Sequence, residues 1–369
     1  MISTRQESLF QAVEDSGYAG LALNPGPTLA YSTGLHYGLM ERPIVALFVP
    51  GKPVTIILPE LEVSRTEVAP FEKKLFPYGE SLEEWDDAFG KACRFAALDA
   101  KRIGVEPRSM RFLELAFLQK ATTHTVFESA EHLIDKLRIS KDEEELALIR
   151  KAVGIAEAGL SATLPSIRTG VTEREIAATL VANLLSAGAD PELPFNPIVA
   201  VGPNSADPHA IPGDLQVAKG DVVLVDWGAN YRGYAADLTR MFAVGEPSEK
   251  VREIVAIVGE ANAAGRKQAG PGVLASDVDK ATRATIEKAG YGDRFIHRTG
   301  HGFGLEIHEA PYIRGDNHVE LASGMTFTIE PGIYLTGLAG ARIEDDVVIT
   351  GGGSESLSTM PRELRILPS

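Results

Sequence analysis

The stretch Val222-Val-Leu-Val-Asp226-Trp-Gly-Ala-Asn-Tyr-Arg-Gly-Tyr-Ala-Ala-Asp237-Leu-Thr-Arg240 decides how this chain is read. Aspartate is depleted from strands, yet Asp226 ends one apolar run and Asp237 sits inside the next. Gly228, Asn230 and Gly233 lie between them, which suits a hairpin connection. A turn centred between Tyr231 and Arg232 sets Asp226 directly opposite Asp237. Cross-strand neighbours are about 5 Å apart at Cβ, where like charges repel. A bound cation is the simplest compensation.

The construction recurs near the C-terminus. Glu330 lies in Thr328-Ile-Glu330-Pro-Gly and Glu344 in Arg342-Ile-Glu344-Asp-Asp, and a loop centred near Gly337 sets them across from one another. Each acid alone is more readily a solvated strand-edge charge, which resists aggregation; two mirrored pairs weaken that reading. Arg342 shares a strand face with Glu344, either as a counter-ion to the carboxylates or as a bidentate grip on a substrate carboxylate.

Between the pairs, His297-Arg-Thr-Gly-His301-Gly-Phe-Gly-Leu-Glu-Ile-His308 holds three of the eight histidines. Gly300, Gly302 and Gly304 enclose His301, so the backbone can approach a ligand closely and adopt positive φ. A neutral imidazole completes an otherwise oxygen-rich metal site. His297 and His308 are then candidates for bonding a substrate or an oxyanion. His209 follows a strand in the turn-rich loop Gly202-Pro-Asn-Ser-Ala-Asp-Pro-His209, a common place for functional residues. His36, His124, His132 and His318 read as ordinary surface or core residues.

Outward from these motifs, helical spacing covers 141–164, through Leu146, Ile149, Val153 and Ile155, and 172–186, through Ile176, Leu180 and Leu184. Ser140 and Glu143 have the spacing of a capping box. Strands are expected over 196–201, 222–226, 233–243, 325–335 and 341–350, with helices near 248–268 and 276–289. The first third reads as a mixed α/β unit, with a helix over 5–16, a strand over 18–23, a hairpin around Pro50-Gly-Lys-Pro53, a strand over 103–106 and a helix over 111–120. The fold class is therefore α/β in the α+β sense: an N-terminal α/β domain over 1–136, then a second domain over 137–369 whose mixed or antiparallel sheet is covered by helices.

Hydrophobic residues at 44% and charged residues at 24% describe a folded soluble chain and exclude a disordered or fibrous one. A formal charge of −15 disfavours a general nucleic-acid binder. Cys93 is the single cysteine, which excludes an intrachain disulfide and suits a reducing compartment. The N-terminus lacks an apolar signal core and no stretch reaches the roughly 20 apolar residues of a membrane span, so the expected location is cytoplasmic.

In order, Asp226, Asp237, His301, Glu330 and Glu344 resemble the five metal ligands of the pita-bread metallopeptidases, in the branch of prolidase (Xaa-Pro dipeptidase) and aminopeptidase P. The ordered motifs span about residues 141–360, and the preceding region resembles that family's creatinase-like N-terminal domain. The resemblance implies two divalent ions, most often Mn²⁺ or Co²⁺ with Zn²⁺ compatible, bridged by a water or hydroxide. Asp237 and Glu344 would bridge both ions, Asp226 would hold one, and His301 with Glu330 the other. It further implies Glu330 as general base, His308 as oxyanion stabiliser, His297 and His209 on the proline side, and Arg342 as the active-site arginine. The expected reaction is hydrolysis of the bond preceding proline in a small peptide, by a homodimer.

The dipeptidase reading is set beside an aminopeptidase acting on longer Xaa-Pro peptides; a compact chain leans toward the former. Metal-free creatinase-like C–N hydrolysis and a non-catalytic peptide-binding protein on the same fold both fit less well with a full ligand set.

Overall fold

Leu21 and Leu23 of the strand Gly20–Leu23 pack with Leu9, Val13 and Leu133, whereas Ala22 between them packs with Phe89, Ala92 and Leu118. That alternation is the period-two signature of a sheet buried on both faces. In the computed structural model, which describes residues 2–369, this strand belongs to the first of two compact units, ending at Arg138. Its mixed six-stranded sheet runs Lys73–Tyr78, Val54–Pro59, Val45–Phe48, Gly20–Leu23, Arg102–Val105, Val126–Ser129. Helices Ile2–Asp15 and Glu131–Arg138 cover one face; Leu82–Ala96 and Phe112–Ala121 cover the other. The expected hairpin forms, with Val45 opposite Ile57 and Leu47 opposite Thr55.

Sequence patterning passed over Pro27–Thr33, Lys73–Tyr78, Leu82–Ala96, Val126–Ser129 and Glu131–Arg138. The strand Lys73–Tyr78 carries two lysines and a proline and lies at the sheet edge, where such residues are tolerated. Helix Leu82–Ala96 had a legible start, because Ser81 and Glu84 close a reciprocal capping box.

The second unit begins at Ile139. Its first helix, Glu143–Thr163, is capped by Asp142 and not by Ser140: Glu145 N–H donates to Asp142 Oδ1 at 2.8 Å and Asp142 N–H to Glu145 Oε2 at 2.9 Å. Ser140 is instead held in an antiparallel bridge to Met325. The cap therefore falls two residues later than the expected one.

Helices Glu143–Thr163 and Glu173–Ser186 bury Ile149, Val153, Ile176, Leu180 and Leu184 against Val199, Val223 and Val225. These valines belong to a four-stranded sheet ordered Arg365–Leu367, Leu238–Val244, Val222–Trp227, Ile198–Val201. A second sheet, of five strands, runs Glu309–Ile313, Gly300–Gly302, Thr326–Ile329, Asp345–Thr350, Gly353–Ser356. Helices Glu249–Gln268 and Ala275–Lys288 pack on the four-stranded sheet through Ile254, Val258 and Ile286, beside Val222, Leu224 and Met241, and on the five-stranded sheet through Val278, beside Phe327 and Ile329. Among the described residues, no helix is long and apolar enough to cross a membrane.

Three strands expected to be continuous are broken. The run 233–243 divides into Tyr234–Ala235 and Leu238–Val244, the run 325–335 into Thr326–Ile329 and Gly332–Leu335, and the run 341–350 into Ala339–Arg342 and Asp345–Thr350. The breaks fall at Asp237, Glu330 and Glu344.

Candidate metal centre

The hairpin carrying the first two acids turns at Arg232-Gly233, both in the left-handed region with φ of 50° and 82°. Tyr231 pairs with Tyr234 on either side, which makes a two-residue loop of the kind that requires positive φ at both positions. The turn lies one residue later than the expected centre, and that moves every partner by two. Asp226 therefore faces Thr239, not Asp237. Asp237 sits in the break beyond the ladder, its N–H donating to Asp346 Oδ2 at 3.0 Å.

The second pair keeps the expected register. Gly332 faces Arg342 on one side of the break and Ile329 faces Asp345 on the other, a common register that leaves Glu330 opposite Glu344. Pro331 lacks an N–H and cannot continue the ladder. The flanking amides go elsewhere: Glu330 N–H donates to Thr299 O at 2.8 Å and Glu344 N–H to Thr239 O at 3.2 Å. Two strands that part for other neighbours leave two carboxylates facing a shared space.

His301 reaches that space from the middle of Gly300–Gly302. A Cβ at Gly300 would lie 1.8 Å from Thr328 O and one at Gly302 2.2 Å from Ala310 O. The glycines permit close backbone packing on both neighbouring strands; the freedom to adopt positive φ is not used, since none of them is among the residues with positive φ. Ligand atoms of Asp237, His301 and Glu344, all buried, lie within 4.8 Å of one another. His301 Nε2 is 3.2 Å from Glu330 Oε1 and 3.6 Å from Asp237 Oδ2.

Asp226 borders the cluster. Its Oδ2 accepts from Arg342 Nη2 at 2.5 Å, and its Oδ1 is buried with no hydrogen-bond partner. Burial drives the carboxyls of Asp237 and Glu344 well above their usual range, and neighbouring acids add to it. Burial also raises Asp226 against the pull of Arg342, and lifts Glu330 to about 7. Burial pushes the His301 imidazole well below its usual range, keeping it neutral. Crowded buried carboxylates, an orphaned oxygen and a neutral imidazole fit divalent cations: the charge that is costly without one becomes the ligand field with one.

Around this group runs a hydrogen-bonded chain. Arg342 Nε donates to Thr239 Oγ1 at 3.3 Å, and Thr239 donates to Glu344 Oε2 at 2.6 Å. Arg342 Nη1 donates to Tyr334 Oη at 2.9 Å, and Tyr334 lies 2.9 Å from His297 Nε2. His297 Nδ1 is 2.7 Å from Arg298 O. All bonds are satisfied when His297 is neutral with its proton on Nδ1, in keeping with burial pushing it down to about 4. Every nitrogen of Arg342 is thus engaged within the chain, which is counter-ion geometry.

His308 is exposed, with its ring edge-on to His301 at 4.2 Å between centroids. His209 is also exposed. Its loop is anchored by Glu173, a buried carboxylate that accepts from Val201 N–H at 2.8 Å, Asn204 Nδ2 at 3.0 Å and Gly213 N–H at 3.0 Å. His36, His124, His132 and His318 are all exposed. Sequence reasoning missed Thr239, Tyr334, Asp346 and Glu173. Thr239 was legible, since it shares strand-face parity with Asp237; Tyr334 and Asp346 carry no spacing signal.

Residues 147–351 match the description metallopeptidase family M24, and residues 5–140 match the creatinase/prolidase N-terminal domain. An Xaa-Pro dipeptidase of Pyrococcus furiosus is 38% identical over 318 residues, covering 86% of this chain and 88% of that protein. The crystal structure of a dipeptidase from Pyrococcus horikoshii superposes with a TM-score of 0.92 at 36% identity, over 98% of this chain and 100% of the other. That of an X-Pro aminopeptidase from Thermotoga maritima gives a TM-score of 0.86 at 32% identity, over 98% of this chain and 99% of the other.

Proposed function

The chain belongs to metallopeptidase family M24, preceded by its creatinase/prolidase N-terminal domain, and from that premise we propose that it hydrolyses the peptide bond preceding proline in Xaa-Pro dipeptides. The observation that carries the reading is the meeting of Asp237, His301, Glu330 and Glu344 at one buried space, with an unpartnered carboxylate oxygen of Asp226 at its border. These five residues would hold two divalent cations, Mn²⁺ by preference, with Co²⁺ and Zn²⁺ compatible with the same donors. Bound there, the cations supply Lewis acidity toward the scissile carbonyl and acidify water.

The remaining roles belong to the chain's own side chains. Glu330, beside His301, accepts the proton of the attacking water on its carboxylate and returns it to the leaving nitrogen of proline. His308 donates from its exposed ring to the oxyanion as the carbonyl carbon becomes tetrahedral. His297, held neutral between Tyr334 and Arg298, presents an aromatic face to the proline ring, and His209 closes that side from its anchored loop. Arg342 fixes Asp226 and Tyr334 and supplies positive potential near the substrate's carboxylate.

Dipeptidase action is supported by the Pyrococcus relatives; the Thermotoga aminopeptidase, similar over nearly the whole chain, favours a second reading in which longer Xaa-Pro peptides are trimmed. A homodimer in the cytoplasm completes the proposal, and the lone, buried Cys93 suits it. The test is hydrolysis by chelator-stripped protein refilled separately with Mn²⁺, Co²⁺ or Zn²⁺, on Ala-Pro, Ala-Pro-Ala and Ala-Ala. Metal-restored cleavage of Ala-Pro alone is expected. Cleavage of only the tripeptide moves the assignment to the aminopeptidase, and activity that survives stripping or Glu344→Ala removes the metal centre from the reaction.

A further inference from the structure

Helix Glu249–Gln268 buries Val251, Ile254, Val255, Val258, Ala261 and Gly265, and with them a polar residue, Asn262, which is wholly inaccessible. A buried amide is destabilising unless its donors and acceptor are matched. Asn262 Nδ2 donates to Ile329 O at 2.9 Å and to Ile343 O at 3.4 Å. These carbonyls belong to the residues immediately before Glu330 and Glu344. Both lie at the break where the flanking ladders stop and the glutamate amides turn away to Thr299 and Thr239. One carboxamide therefore spans the gap between two strand ends that no longer hold each other closely.

Its orientation is fixed from behind. Oδ1 accepts from Arg266 Nε at 2.8 Å, and the same Arg266 nitrogen lies 3.5 Å from Asp345 Oδ2. With the oxygen committed to a cation, both N–H bonds point at the carbonyls. A side chain serving only helix packing at this position would be apolar, like its neighbours along the stripe.

We infer that Asn262 is a positioning residue for the metal centre, setting the separation of Glu330 and Glu344 through the backbone of the residues before them. The inference rests on the two-cation reading above. It assigns Asn262 no contact with substrate or metal.

The test is calorimetric titration of chelator-stripped, full-length protein with Mn²⁺, alongside thermal melting of each metal-free form. Asn262→Ala and the volume-conserving Asn262→Leu are compared with wild type and with Asn183→Ala. That last variant loses an amide bond of similar kind, Asn183 Nδ2 to Thr163 Oγ1 at 2.9 Å, in the helix pair away from the acids. Both Asn262 variants are expected to bind Mn²⁺ about tenfold or more weakly, as outer-shell substitutions do. Asn183→Ala is expected to melt earlier with wild-type affinity. Asn262 variants that melt earlier yet bind Mn²⁺ like wild type would overturn the inference and leave the two-cation reading standing. If wild type itself takes up no Mn²⁺, Co²⁺ or Zn²⁺, the functional reading fails and the inference with it. Should Asn262→Ala not fold, Asn262→Leu carries the comparison.

Discussion

Arg342 holds Asp226 by one carboxylate oxygen, Nη2 to Oδ2 at 2.5 Å, while the other oxygen of Asp226 is buried and unpartnered. The aspartate is thus half satisfied by the chain. Removing one member of a buried pair typically costs about 3–5 kcal/mol, because the survivor is left uncompensated. Arg342→Met should lower the melting temperature of the metal-free protein at pH 8 by about 10 °C, at roughly 2–4 °C per kcal/mol for a domain of this size. Mn²⁺ should restore much of that loss. An unchanged metal-free melting temperature would mean that the pair does not bear on stability.

A second expectation concerns pH. Burial raises Asp237 and Glu344 well above the ordinary carboxyl range and Glu330 to about 7. A carboxyl raised in the folded state contributes stability that is fully present below its unfolded pKa, about 4, and lost as pH rises through the folded value. Metal-free protein should therefore melt progressively earlier from pH 5 to pH 8. Cation-loaded protein should not, so the gain on adding Mn²⁺ should widen with pH. Parallel curves for the two forms would count against carboxylate crowding at this centre.

Glu173 offers a test of the loop that carries His209. Its carboxylate takes the Val201 and Gly213 amides, near the two ends of that loop. Glu173→Ala leaves the buried Val201 amide unpaired, at a cost of about 1–3 kcal/mol, and frees the half-buried Gly213 amide as well. If His209 contacts substrate, KM should rise more than kcat falls. An equal fall in kcat with KM unchanged would show that the loop does not bind the ground-state substrate.

Helix capping can be tested without activity. Asp142→Ala should cost about 1 kcal/mol as the loss of an N-cap, whereas Ser140→Ala should stay within about 0.5 kcal/mol, as surface changes do. Chemical denaturation of both variants decides between the two residues as the cap; the reverse order would restore Ser140.

How much of this was legible depends on which physical rule governed each residue. The apolar stripes of helices 143–163 and 173–186 were readable because burial enforces their period, and the facing of Glu330 and Glu344 because the loop between them is symmetric about Gly337. The facing of Asp226 was misread by two positions because the tip is set by φ at Arg232 and Gly233, and arginine gives no warning that it will adopt a left-handed conformation. Thr239 was readable from its parity with Asp237, whereas Tyr334 and Asp346 could not be named in advance, since no spacing in the sequence points to their partners. Asn262 could have been: a polar residue in an otherwise apolar helical stripe is a signal that needs no partner to be noticed.

The two-residue tip at Arg232-Gly233 also limits how the chain can change length. Side chains alternate across a sheet, so one residue inserted or deleted between Asp226 and the tip would invert the face on which everything beyond it lies. The aspartate spacing behaves as a ruler with a fixed number of divisions. Loop grafts or linker insertions that leave the rest of the domain untouched would be tolerated here only in pairs, and the hairpin is a poor place to join another protein.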